Sequence, residues 1–142
     1  MALRLLGAVM SISPNDILDT SKYLLKDNNE SNLRSASSRA YYAAFHACSC
    51  FSEKLPAVDM SGKHETTHNV VITKYLKYTE NSDFKIKIRK VGGLMMQLRN
   101  ARVDADYKLS FNFKEPRAKE NVYQSGRIIG MIDDLTKDFC EG

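Results

Sequence analysis

At 142 residues, with 43% apolar and 27% charged positions, the chain has the size of one ordinary domain and enough apolar content for a single core. Its apolar runs are only a few residues long, which excludes a helical membrane span, and a net charge of +4 permits nucleic-acid contact without demanding it. The cysteines, Cys48, Cys50 and Cys140, are odd in number and lack CxxC spacing, so no disulfide framework is expected and a reducing, cytoplasmic setting fits.

Met1 to Met10 carries one Arg and an apolar stretch too short for a secretory leader, with no clear cleavage site after it. One domain over residues 1–142 is expected. Residues 1–12 read as a poorly ordered extension, and Met10 as an alternative start. Ser13 is a natural N-cap and Pro14 suits a first helical position, which predicts a helix from Pro14 to Lys26. Ile17, Leu18, Leu24 and Leu25 share its apolar face. Asp27 to Glu30 is a turn.

A second helix is predicted from Asn32 to Glu53. Leu33, Ser37, Ala40, Tyr41, Ala44, Cys48 and Phe51 form one stripe at helical spacing. Ser35, Arg39, Tyr42, His46, Ser49 and Glu53 lie opposite. Its many Ala and Ser residues suggest a closely packed neighbour. Leu55 to Lys63, with Pro56 and Gly62, reads as a loop.

A third helix is predicted from His64 to Tyr78, with Val71, Ile72, Tyr75 and Leu76 inward and His68 at the edge of that face. A fourth runs from Phe84 to Arg102, with Phe84, Ile88, Val91, Met95 and Leu98 as a narrow stripe. Gly92-Gly93 weakens its middle by about 1 kcal/mol per Gly against Ala and marks a kink or a close crossing. Asp104 to Glu115 is a loop. Pro116 opens a fifth helix to Phe139, lined inside by Ala118, Val122, Ser125, Ile129, Ile132 and Phe139. Long amphipathic helices and no strand alternation imply an all-α, antiparallel up-and-down bundle of four to five helices.

Four features carry chemistry. His64-Glu65-Thr66-Thr67-His68 matches H-E-x-x-H, the spacing of a zinc hydrolase. It stands at a helix start after Gly62 and lacks a third-ligand motif, so His64 as a helix cap and His68 as a core-edge residue is the preferred account. Arg39, Tyr42 and His46 fall at i, i+3 and i+7 along one side of the second helix, where they suit phosphate binding, acid–base work or an interface. Arg102 continues the apolar stripe of the fourth helix. A buried guanidinium cannot lose its proton and needs partners. Asp104 and Asp106 offer a structural salt bridge; a phosphate at a cleft mouth is the functional alternative, with Arg99 one turn earlier able to join. Lys85, Lys87, Arg89 and Lys90 make the start of that helix basic, where nucleic-acid backbone contacts would fall.

Three pieces resemble the HEPN (higher eukaryotes and prokaryotes nucleotide-binding) domain: Ser38 to Ala47 with its paired tyrosines, Thr67-His68, and Arg102-Val103-Asp104-Ala105-Asp106-Tyr107. The resemblance spans Pro14 to Phe139. It implies a helical bundle that forms homodimers, engages RNA or a nucleotide, and in active members cuts RNA without metal or cofactor. Toxin–antitoxin or defence roles, with a nucleotidyltransferase-like antitoxin as partner, come with it. Active members use an Arg and a His separated by four to six residues. Here Tyr107, Lys108 and Leu109 occupy those places after Arg102, and Asp104, Ala105 and Asp106 after Arg99. On this pattern Arg102, Asp106 and Tyr107 are the catalytic candidates: Arg102 holds phosphate, Asp106 orients it and Tyr107 positions a base or proton. Arg99, Arg39, His46 and Tyr42 are the nucleic-acid-binding candidates. The alternative is a catalytically silent binding module or dimerisation scaffold.

Overall fold

Ser13 starts the first helix as its context predicts. Its hydroxyl accepts from the Asp16 N–H while the Asp16 carboxylate accepts from the Ser13 N–H, a reciprocal capping box with Pro14 at the first position. The computed structural model describes residues 4–5, 8–9 and 11–141, with side chains from residue 11 to residue 139. The expectation for residues 1–12 falls largely outside the described residues. Within it, strands β1 (Arg4–Leu5) and β2 (Ala8–Val9) pair antiparallel. The rest is helical: α1 (Pro14–Leu24), α2 (Glu30–Ser52), α3 (Thr67–Leu76), α4 (Ser82–Tyr107) and α5 (Glu115–Glu141). The architecture is an all-α bundle. No described helix is long and apolar enough to cross a membrane.

Helix α2 is the axle and touches the other four. Its buried surface is wider than the single predicted stripe, because Ala36, Ala43, Phe45 and Ala47 are buried along with Tyr41, Ala44 and Cys48. The small residues let neighbours come close. Their carbonyls then become hydrogen-bond targets in the interior: Ser21 of α1 donates to the Ala36 carbonyl, and Ser125 of α5 to the Ala40 carbonyl at 2.7 Å. Asn121 donates to Ser37 Oγ at 3.0 Å. Each bond satisfies a buried polar group that would otherwise cost about 1–3 kcal/mol. A shared apolar core of Tyr41, Ile72, Tyr75, Ile88, Met95, Ile128 and Leu135 joins the helices.

Consecutive pairs α1/α2, α3/α4 and α4/α5 run antiparallel, as an up-and-down bundle requires. Helix α3 departs from that order. Tyr41 meets His68, and Tyr75 donates to the Cys48 carbonyl at 2.6 Å, so α2 and α3 run in the same direction. The connection over residues 53–66 is long enough to return the chain to the other end of the bundle.

Two boundaries move, with consequences for the site. Helix α4 continues through Tyr107, so Asp104 to Tyr107 is the last turn of that helix and the loop is confined to residues 108–114. Helix α3 begins at Thr67 with Thr66 as its N-cap; Thr66 Oγ1 accepts from the Asn69 N–H at 3.2 Å. His64 is therefore not the cap. Of the paired glycines, Gly92 marks a close crossing: a Cβ there would stand 3.0 Å from the backbone nitrogen of Leu76 on α3. Gly93 faces open space.

Candidate functional site

The end of α4 is held by an arginine that the sequence did not single out. Arg34, on the first turns of α2, is only 9% exposed. Its Nη1 donates to the carbonyls of Asp104 (3.2 Å), Ala105 (2.9 Å) and Lys108 (3.1 Å), and its Nη2 to that of Phe111 (2.6 Å). Its Nε donates to Glu30 at 2.9 Å. The last carbonyls of a helix have no intrahelical donor and carry the negative end of its dipole. Arg34 satisfies them and the following loop with one cation, packed against the rings of Phe111 and Phe113. This clamp fixes where Asp106 and Tyr107 stand.

Arg102 and Asp106 sit one turn apart on the same helix face. Their charged groups approach to 3.8 Å, an ion pair too long for a hydrogen bond. The Asp106 carboxylate also accepts from Ser38 Oγ at 3.1 Å. The Arg102 side chain is 11% exposed, and its guanidinium lies over the rings of Tyr41, Tyr42 and Tyr107. Its Nε is buried and finds no hydrogen-bond partner among the described residues. The expected pairing with Asp104 does not occur. Asp104 is engaged by Arg117 at 2.6 Å and Lys108 at 2.9 Å, which together hold its carboxyl below the usual carboxylate range.

Arg99 lies one turn before Arg102 and donates to the side-chain oxygen of Asn69. Asn69 in turn donates to the His64 carbonyl at 2.9 Å. The H-E-x-x-H segment is thereby accounted for. His64 and Glu65 precede the helix and are exposed, so the two histidines are not one helical turn apart. Among the described residues no cluster of His, Cys, Asp and Glu suits a metal ion. The segment instead caps α3 and brings His68 beside the arginines.

His68 belongs to the site and is more than a residue at the core edge. Its ring stacks on Phe45 at 4.2 Å between centroids and lies nearly parallel to Tyr41. Its Nδ1 is 2.6 Å from the Tyr41 hydroxyl. Burial lowers its pKa, and the nearby positive charges of Arg99 and Arg102 lower it further. Burial also pushes the Tyr41 phenol up to about 12, so it remains a protonated donor. The signal available in the sequence was placement: His68 opens a helix whose inner face meets α2.

Of the other candidates, Arg39 lies over the Tyr42 ring, which places it at the rim of the same aromatic floor. His46 lies one helical turn further along, where desolvation and the Arg39 charge lower its pKa. Tyr107 is 70% exposed. The basic start of α4 is partly consumed within the fold: Arg89 donates to the Tyr78 carbonyl at 2.8 Å and Lys87 faces Asp134 at 3.6 Å. The arrangement is thus two arginines and a neutral-leaning histidine on a tyrosine floor, with one carboxylate and one serine at its edge. Such a set can grip a phosphate and stack a base beside it.

No protein-family model matches the chain, and no curated protein matches it.

Proposed function

We propose that this protein is HEPN-like and engages RNA through a phosphate at Arg99 and Arg102, with an unpaired base on the Tyr42 and Tyr107 rings. The observation that carries this reading is Arg102. Its guanidinium is nearly buried, and among the described residues its only ionic partner is at 3.8 Å and none accepts a hydrogen bond from it. Its two terminal nitrogens, held over aromatic faces and not sealed from solvent, are suited to an oxyanion that arrives from outside. The resemblance adds a homodimer, a toxin–antitoxin or defence setting and a nucleotidyltransferase-like antitoxin as partner. Metal-independent RNA cleavage belongs to the same proposal.

The test is chelator-treated protein incubated with total cellular RNA, alongside Arg102→Met. Retention or cleavage of RNA by the wild type and its loss in the variant supports the reading. Equal behaviour of the two removes Arg102 from any RNA site.

A silent protein-binding scaffold is the second reading, favoured by one observation. Tyr107, Leu109 and Phe111 are exposed apolar side chains in succession at the end of α4. Patches of this kind mark protein contacts. Failure of all RNA binding with the fold intact would favour it.

A further inference from the structure

We infer that His68 is the third anion-contacting group of the site, presenting its Nε2–H to the phosphate, and that Tyr41 is the positioning residue that holds this tautomer. The inference rests on the RNA-binding reading above.

The Tyr41 hydroxyl and His68 Nδ1 are 2.6 Å apart, so one of them donates to the other. Tyr41 is wholly buried, and its hydroxyl makes no second hydrogen bond among the described residues. Were Nδ1 the donor, the phenolic proton would be left in the interior without an acceptor, an arrangement that costs about 1–3 kcal/mol. Tyr41 therefore donates and Nδ1 accepts. A neutral imidazole that accepts at Nδ1 carries its proton on Nε2.

Two further observations support the neutral state and the role. The groups facing His68 are Tyr41, Tyr42 and His46 from α2 and Arg99 and Arg102 from α4; none is an anion, and the arginines disfavour imidazolium. His68 Nε2 makes no hydrogen bond among the described residues, yet it is not among the buried atoms left without a partner, so it meets solvent. A donor open to solvent, next to two guanidinia and locked in one ring orientation by stacking on Phe45, is prepared for the same anion. Tyr41 serves both groups: its hydroxyl holds His68, and its face lies under Arg102.

The experiment uses the full chain and a fluorescein-labelled single-stranded RNA. Side-chain nitrogen NMR of the free protein reads the His68 tautomer directly, and RNA titration reads affinity. Expected are an unprotonated Nδ1 with a protonated Nε2 in the wild type, and a mixed tautomer in Tyr41→Phe. Loss of a hydrogen bond to a charged group predicts an affinity drop of about tenfold or more in His68→Ala. His68→Gln, whose amide N–H can stand in for Nε2–H, recovers most of it, whereas a purely structural role would predict no such recovery. Protonation at Nδ1 in the wild type overturns the tautomer assignment. RNA binding lost in Arg102→Met but unchanged in His68→Ala overturns the inference while leaving the RNA reading standing. No RNA binding by the wild type overturns both.

Discussion

Ser38 on α2 donates a hydrogen bond to Asp106 on α4 at 3.1 Å. With Arg102 lying over the Tyr41 and Tyr42 rings, that contact joins the two segments that carry the site: Arg102 stands one turn before Asp106 and the paired tyrosines one turn after Ser38. The same Asp106 carboxylate oxygen stands 3.8 Å from the Arg102 guanidinium.

Arg102 should matter more for ligand than for fold. The Arg102 guanidinium gains little from a 3.8 Å ion pair, and its partner Asp106 is exposed, so the carboxylate stays solvated when the guanidinium is removed. Arg102→Met is expected to change unfolding free energy by less than about 1 kcal/mol while reducing RNA affinity by about tenfold or more. Urea unfolding and RNA titration on one preparation check both halves; a large stability loss with RNA affinity retained would make Arg102 structural.

Arg34 should show the opposite balance. Arg34→Met strands the carbonyls of Ala105, Lys108 and Phe111 that the guanidinium now serves. A loss of about 3 kcal/mol is expected in urea unfolding. Amide exchange should rise first at residues 104–113, where the clamp acts.

The paired glycines should respond with opposite signs. Gly92→Ala places a Cβ 2.9 Å from Leu76 Cδ2 and 3.0 Å from the Leu76 backbone nitrogen. Backbone cannot step aside cheaply, so a loss of about 1–3 kcal/mol from crowding outweighs the gain in helix propensity. Gly93→Ala meets no atom within 4 Å and should stabilise α4 by about 1 kcal/mol. Thermal melts of the two variants against wild type decide it; equal shifts would mean that α3 does not press on Gly92.

Stability should fall on mild acidification. His68 and His46 both titrate below the ordinary 6.5 in the folded state. The unfolded chain therefore binds more protons in the window between the folded values and 6.5, and stability rises with pH there. The contribution is complete above 6.5 and is lost as pH falls through that window. Urea midpoints measured from about pH 8 down to about pH 5 should decline, and less steeply in His68→Gln. A midpoint that rises toward acid would mean that the imidazoles face anions.

The helices were legible because their signals are local. Ser13-Pro14, the stripe Ile88-Val91-Met95-Leu98 and the small residues of α2 depend only on neighbours within a few turns. The end of α4 was misplaced for the same reason. Asp104-Ala105-Asp106 looks like loop chemistry, and what keeps it helical is Arg34, some seventy residues away in the chain. Likewise H-E-x-x-H has meaning as a metal site only on a continuous helix, and the capping of α3 by Thr66 removes that condition.

By itself, then, the sequence determined the all-helical class, the approximate elements and the prominence of Arg102, since periodicity and capping are written in adjacent residues. Only the tertiary structure decided that α3 lies alongside α2 in the same direction, that Asp104 belongs to Arg117, and that His68 joins Arg99, Arg102 and Tyr41. Those relations follow from how helices cross, and a crossing is fixed by the volumes and hydrogen-bonding needs of whole buried faces, which no short stretch of chain contains.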